Sequence, residues 1–220
     1  MMSTAEKYRD KYISILGDSI STLEGYNKSP FAEFYNGGHK LLYNVHGISD
    51  TWWGMLIEHL GGKLLSNDSY LGTMVSDDPR GKIYGPPASD DSRIGNLAKG
   101  GIEPELIIVF IGFNDWENAI PNFYAAYHEM LKKIKGRYSS ADIWVMSLPR
   151  GYIQGDSDMN IPPQFDCMEI TPYNEAIEFA AVQENCTFIN LNDLSYETLD
   201  GSHPTGKGMR EIFLEIKAQI

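Results

Sequence analysis

Leu106-Ile107-Ile108-Val109-Phe110-Ile111-Gly112-Phe113-Asn114-Asp115 is the stretch that decides the fold. Six apolar residues run without a polar interruption, then stop at a glycine followed by turn-forming polar residues. A strand with one wet face would alternate apolar and polar positions. An unbroken run of this length suits a strand covered on both faces, as in a parallel sheet. Working outward, residues 12–16, 143–146 and 187–189 are shorter runs of the same kind, and residues 63–65 are a fainter one.

Stripes at helical spacing separate these runs. Trp53, Leu56, Ile57 and Leu60 share one face of a helix expected to be capped by Ser49 or Asp50. Phe123, Ala126, Tyr127, Met130, Leu131 and Ile134 make a longer stripe, and Met209, Ile212, Phe213 and Ile216 make the last. Thr171-Pro172 predicts a helix start, a capping hydroxyl followed by proline at the first helical position. Strands alternating with amphipathic helices predict a three-layer α/β/α sandwich. With 220 residues there is room for one such domain, expected to span residues 1–220.

Two long connections interrupt the alternation. Residues 20–48 carry Tyr26, Phe31, Phe34, Tyr35 and Tyr43 among glycines and polar groups, and their aromatic content predicts an ordered, substrate-facing cover. Residues 149–170, with Pro149, Pro162 and Pro163, read as a second long loop.

Composition narrows the partners. A formal net charge of −12, with no basic stripe to offset it, disfavours nucleic acid and anionic membrane surfaces. No apolar stretch approaches the ~20 residues of a membrane span. The first residues hold no basic segment leading into an apolar run, so no signal peptide is expected. Two cysteines, Cys167 and Cys186, fit reduced structural thiols, which makes the cytoplasm the expected compartment. His39, His46, His59 and His128 have no partners at ligand spacing, and no phosphate loop or dinucleotide fingerprint occurs. Neither a metal nor another cofactor is therefore expected.

Ligands of an open parallel sheet collect at the carboxyl ends of its strands, so the residues just after each run are informative. Gly17-Asp18-Ser19 comes after the first, Asn67-Asp68-Ser69-Tyr70-Leu71-Gly72 after the faint second, and Gly112-Phe113-Asn114-Asp115 after the third. Asp200-Gly201-Ser202-His203-Pro204 precedes the final helix. Each motif alone is weak: Gly155-Asp156-Ser157 repeats the first in a place that reads as a plain turn. Average residue frequencies put the three most distinctive together by chance at on the order of 10⁻⁴ to 10⁻⁵.

In this order the four segments resemble the conserved blocks of the SGNH (GDSL-type) serine hydrolases. The resemblance spans residues 17 to 204 and implies a flavodoxin-like sandwich with about five parallel strands. It also implies residue roles, with Ser19 as nucleophile and Asp200 and His203 as the pair that activates it. The N–H groups of Ser19 and Gly72 and the Asn114 amide would hold the oxyanion. Asp18, Asn67 and Asp115 would support them. Of the glycines nearby, Gly72 is preferred over Gly61 and Gly62 because its spacing from Asn67 matches the family block. Ile20 stands where the subfamily name has leucine, an aliphatic exchange that touches no catalytic role.

The residue types suit acyl transfer. A serine hydroxyl is a poor nucleophile until a base takes its proton, and an aspartate fixes that base's tautomer. The expected activity is hydrolysis of a carboxylic ester through an acyl-serine, on a small ester such as an acetylated saccharide. Alternatives are a lipid or thioester acyl hydrolase, an O-acyltransferase on the same triad, and a non-catalytic binding module. Oligomeric state is not legible in the sequence.

Overall fold

A computed structural model describes residues 3–27, 33–166 and 168–220. Phe31 and Cys167 lie outside the described residues. Seven strands occur among them: β1 (Tyr12–Gly17), β2 (Lys63–Ser69), β3 (Leu106–Phe110), β4 (Asp142–Met146), β5 (Arg150–Ile153), β6 (Thr187–Ile189) and β7 (Ser195–Thr198). Five of them form a wholly parallel sheet in the order β2-β1-β3-β4-β6.

This order explains where the helices lie. The chain steps from β1 to β2 in one direction and from β2 through β3 and β4 to β6 in the other. Right-handed crossovers then send the intervening helices to opposite faces. Helix Trp52–Leu60 packs against the final helix Gly206–Ala218 on one side. Helices Asp91–Gly95, Phe123–Arg137 and Thr171–Gln183 pack together on the other. All five side chains of β3 are fully buried between the layers. Each is worth roughly 1.5–3 kcal/mol relative to an exposed position, which is why this strand is the plainest in the sequence.

Several boundaries differ from expectation for identifiable reasons. Helix Trp52–Leu60 is capped by Thr51, whose hydroxyl accepts from Gly54 N at 3.0 Å, rather than by Ser49 or Asp50. Asp50 instead accepts from His46 N and Gly47 N at 2.9 and 3.1 Å, closing the short turn ahead of the helix. Thr171 is the first residue of its helix, not a cap, and Pro172 comes next inside the first turn. Strand β2 runs four residues past the apolar 63–65, because Ser66, Asn67, Asp68 and Ser69 are buried and bonded one by one to neighbouring groups. Hydropathy carries no trace of that.

The stretch 149–170 is not a plain loop. It contains β5, which pairs in parallel with β7 to make a second, two-stranded sheet, and a short helix Pro163–Asp166. Gly151 makes the pairing possible: a Cβ there would lie 2.5 Å from the Gly201 carbonyl oxygen. This small sheet ends two residues before Asp200. Gly155-Asp156-Ser157 is a turn, with Asp156 accepting from Asp158 N at 2.9 Å.

Candidate active site

Ser19 sits just beyond the end of β1, and Asn114 just beyond β3, so the two flank the point where the strand order reverses. Open parallel sheets bind ligands at that crevice. Asp18 begins the turn Ser19–Ser21 and its Oδ1 accepts from Ile20 N at 3.2 Å, which tips Ser19 into the pocket. Burial pushes the Asp18 carboxyl up to about 7 against the pull of the Ile20 and Gly112 N–H groups, with Glu117 and Asp115 adding to the rise.

The Asp200–His203 segment reaches this point through the small sheet. Gly201 N donates to Thr198 Oγ1 at 2.8 Å and Tyr196 donates to the Ser202 carbonyl at 2.7 Å. Tyr35 clamps the far side by donating to the Pro204 carbonyl at 2.7 Å. Asp200 Oδ1 accepts the backbone N–H groups of Ser202 and His203 at 3.0 and 2.8 Å. Its Oδ2 lies 2.8 Å from His203 Nδ1, and His203 Nε2 lies 3.0 Å from Ser19 Oγ. With Nδ1 donating to the carboxylate, Nε2 is left to accept from the serine hydroxyl. Burial alone would raise the Asp200 carboxyl, but the His203 ring and those backbone N–H groups outweigh it and hold it well below the usual carboxylate range.

Gly72 and Asn114 stand on the opposite wall. Gly72 has φ +70°, and a Cβ on it would meet the Tyr84 ring at 2.5 Å, so the position demands glycine twice over. The Asn114 amide donates to the Thr73 carbonyl at 3.0 Å, which fixes its orientation and leaves a second N–H. Asp115 accepts from Val75 N and Ser76 N at 2.8 and 3.1 Å, tying the Gly72 loop to β3, and burial pushes its carboxyl up to about 6. Asn67 braces the first turn by donating to the Ser21 carbonyl at 2.9 Å and accepting from Ser69 Oγ at 2.6 Å. Ser19, Gly72, Asn114 and His203 line one pocket of about 220 Å³, together with Leu71, Arg80, Tyr84, Phe113, Glu117 and Ser202. A larger cavity of about 500 Å³ beside Tyr26 and Lys99 touches neither Ser19 nor His203. Chemistry decides between them.

Sequence reasoning did not assign several participants. Phe34 lies face to face with the His203 ring, centroids 3.6 Å apart and planes within 5°. Tyr43 donates to Asp200 Oδ2 at 3.0 Å. Of the described aromatic residues of the first long connection, Phe34, Tyr35 and Tyr43 are therefore buried behind the Asp200–His203 segment, and Tyr26 is exposed beside the larger cavity. They do not line the pocket as the expected cover would. Tyr84 and Phe113 do instead. Arg93 is fully buried and pairs with Asp68, its Nη1 donating to Thr73 Oγ1 at 3.0 Å and its Nη2 to the Gly17 carbonyl at 3.3 Å. Glu117 faces the pocket and accepts from Ser202 Oγ at 3.2 Å. An arginine or glutamate in a polar stretch carries no sequence mark of burial, and only Tyr43 and Phe34 stand in a segment already notable for its aromatics.

Residues 11–150 match the model of the GDSL-like lipase/acylhydrolase family. The chain belongs to that family. It is a carboxylic ester hydrolase. The matched region holds Ser19, Gly72 and Asn114, whereas Asp200 and His203 lie beyond it and join the site through the fold. No curated protein sequence matches this GDSL-family chain.

Solved structures resemble it along nearly its whole length. A GDSL-like lipase-type protein of Bacteroides uniformis shares 23% identity over 96% of this chain and 95% of its own, with a TM-score of 0.71. A carbohydrate acetylesterase family member from Sinorhizobium meliloti shares 16% identity over 95% and 96%, at 0.63. An aryl esterase from M. smegmatis shares 17% over 95% and 97%, at 0.65. At these identities the likeness is one of fold. No described helix of the GDSL-family chain is long and apolar enough to cross a membrane, and no group of three or more described His, Cys, Asp or Glu side chains could hold a metal ion.

Proposed function

We propose that this GDSL-family hydrolase is a serine esterase acting on short acyl esters, acetyl groups above all, of a small hydroxylated alcohol such as a saccharide. The observation that carries the reading is the continuous chain of contacts from Ser19 Oγ through His203 to Asp200, at 3.0 and 2.8 Å. His203 Nε2 takes the proton of Ser19 as Oγ attacks the ester carbonyl. The N–H groups of Ser19 and Gly72 and the free Asn114 N–H stabilise the oxyanion that forms. As the tetrahedral species collapses, His203 returns the proton to the leaving alcohol. A water deprotonated by the same nitrogen then attacks the acyl group, releasing the acid and restoring Ser19. The Asp200 side chain is 40% exposed and that of His203 17%, so solvent can approach the histidine that must activate it.

Pocket size and lining support the short acyl group. A cavity of about 220 Å³ with Arg80 and Glu117 in its walls has little room for a long alkyl chain, which would bury charge against it. Hydrolysis of p-nitrophenyl esters of graded length tests this. Activity is expected to be highest on acetate and to fall at least tenfold by octanoate. A preference for octanoate would overturn the short-acyl reading, and inactivity at every length would overturn the esterase.

Phe34 is proposed as a positioning residue for the base. Its ring holds the His203 plane and favours the imidazolium that forms in each half-reaction, an effect of roughly 0.5–2 kcal/mol for a cation over an aromatic face. Phe34→Leu is expected to lower kcat about tenfold with KM nearly unchanged, and Phe34→Tyr to recover most of the loss. A fall in melting temperature with kcat intact would show that the stack only packs.

A further inference from the structure

The pocket before Ser19 holds two charged side chains outside the Ser19–His203–Asp200 chain, and they differ in how fully they are committed. Arg80 is locked. Its Nε and Nη2 bond the Asp78 carboxylate at 2.9 and 2.8 Å, Nη2 also donates to the Gly72 carbonyl at 2.7 Å, and the guanidinium lies over the Tyr84 ring at 4.5 Å. Glu117 ends the short helix that carries Asn114 and is held only through Oε1, by Ser202 Oγ. No hydrogen bond reaches its Oε2 among the described residues.

Position gives that oxygen a meaning. In acyl transfer the leaving oxygen must receive its proton from the imidazole, so the alcohol part of the ester departs past His203 Nε2. Ser202, the residue that holds Glu117, immediately precedes His203, and Glu117 and His203 line the same pocket. Through Ser202, Glu117 is tied to the residue beside the histidine that the alcohol must pass, whereas Arg80 is anchored to the Gly72 carbonyl.

We propose that Glu117 is the specificity residue for the leaving alcohol, its free carboxylate oxygen accepting a hydroxyl hydrogen from a polyol or saccharide. The assignment rests on the esterase reading above. Burial raises the Glu117 carboxyl above its ordinary value, against the Ser202 hydroxyl bond that lowers it. Such a group has already lost part of its hydration, and a bound alcohol displaces more. A hydroxyl donor replaces the lost water with a charge-assisted hydrogen bond, whereas an alkyl group leaves the oxygen unpaired. An anionic alcohol meets repulsion. Discrimination of this kind, between a partner that satisfies a polar group and one that strands it, is larger than pocket shape alone provides.

A matched pair of esters tests it: glycerol 1-acetate and n-propyl acetate share the acyl group and the three-carbon alcohol and differ only in two hydroxyls. Wild-type kcat/KM is expected to favour the glycerol ester by roughly tenfold or more. Glu117→Ala is expected to bring the ratio close to one, mainly by raising KM for the glycerol ester. Glu117→Gln, which keeps the shape and an acceptor oxygen without the charge, should fall between and serves if the alanine variant does not fold. A wild-type ratio near one, or a ratio unchanged in both variants, would overturn the proposal. Those outcomes are read with wild-type hydrolysis of p-nitrophenyl acetate present, whereas failure of the esterase reading would abolish wild-type hydrolysis of all three esters and take the proposal with it.

Discussion

Ser19→Ala is expected to lower kcat/KM on p-nitrophenyl acetate by a factor on the order of 10³ or more, with the fold unchanged. The substitution removes a single oxygen, the one 3.0 Å from His203 Nε2. The groups that shape the turn remain, because Asp18 caps it through the Ile20 backbone N–H and Thr22 N bonds the Ser19 carbonyl, neither of which uses the serine side chain. Oxyanion donors and substrate binding persist, so a small residual rate above the uncatalysed reaction is expected rather than zero. Near-ultraviolet circular dichroism of the variant should superpose on that of the wild type. Equal activity in the two proteins would remove Ser19 from the mechanism and leave the neighbouring residues without a nucleophile to serve.

Arg93→Leu is expected to cost about 3–5 kcal/mol of stability, the usual penalty for stranding one partner of a buried ion pair. Arg93 and Asp68 are both fully buried, and the guanidinium lies over the Tyr70 ring at 3.9 Å. Besides Asp68, it reaches the Gly17 carbonyl at the end of β1, Thr73 Oγ1 beyond Gly72, and the Pro86 carbonyl at 3.0 Å. One side chain therefore ties the Ser19 turn to the loop that presents Gly72. For a chain of 220 residues the loss corresponds to a melting temperature lower by roughly 6–20 °C. Combining it with Asp68→Asn should recover part of the loss, since the uncompensated charge is then gone. A shift below about 2 °C, or a double variant no better than the sum of its parts, would show that the pair is solvated and carries little.

The two predictions differ in how visible their residues are in the sequence. Ser19 could be read directly, because a glycine-bearing turn after an apolar run is a local pattern and three other local patterns come after it in order. Arg93 could not. Its burial depends on Asp68, twenty-five residues earlier, being drawn into a strand whose last four residues are polar. The pairing of β5 with β7 is hidden for a similar reason: four residues containing an arginine and a glycine have no periodicity, and the partner strand begins more than forty residues later. The aromatic segment before Tyr43 is noticeable in composition, but composition cannot say which side of the Asp200–His203 segment it packs on.

The sequence by itself determined the covered parallel strands, the layers of helices around them and the four blocks that end at the site. Continuous apolar runs, helical spacing and turn chemistry are local properties, and each is written within a few adjacent positions. Tertiary structure alone decided that Phe34 stacks on His203, that Tyr43 bonds Asp200, that Arg93 locks Asp68, and that Glu117 lines the same pocket as Ser19 and His203. Those are pairings between side chains far apart in the chain, whose energies exist only once burial has removed the water that would otherwise satisfy each of them separately.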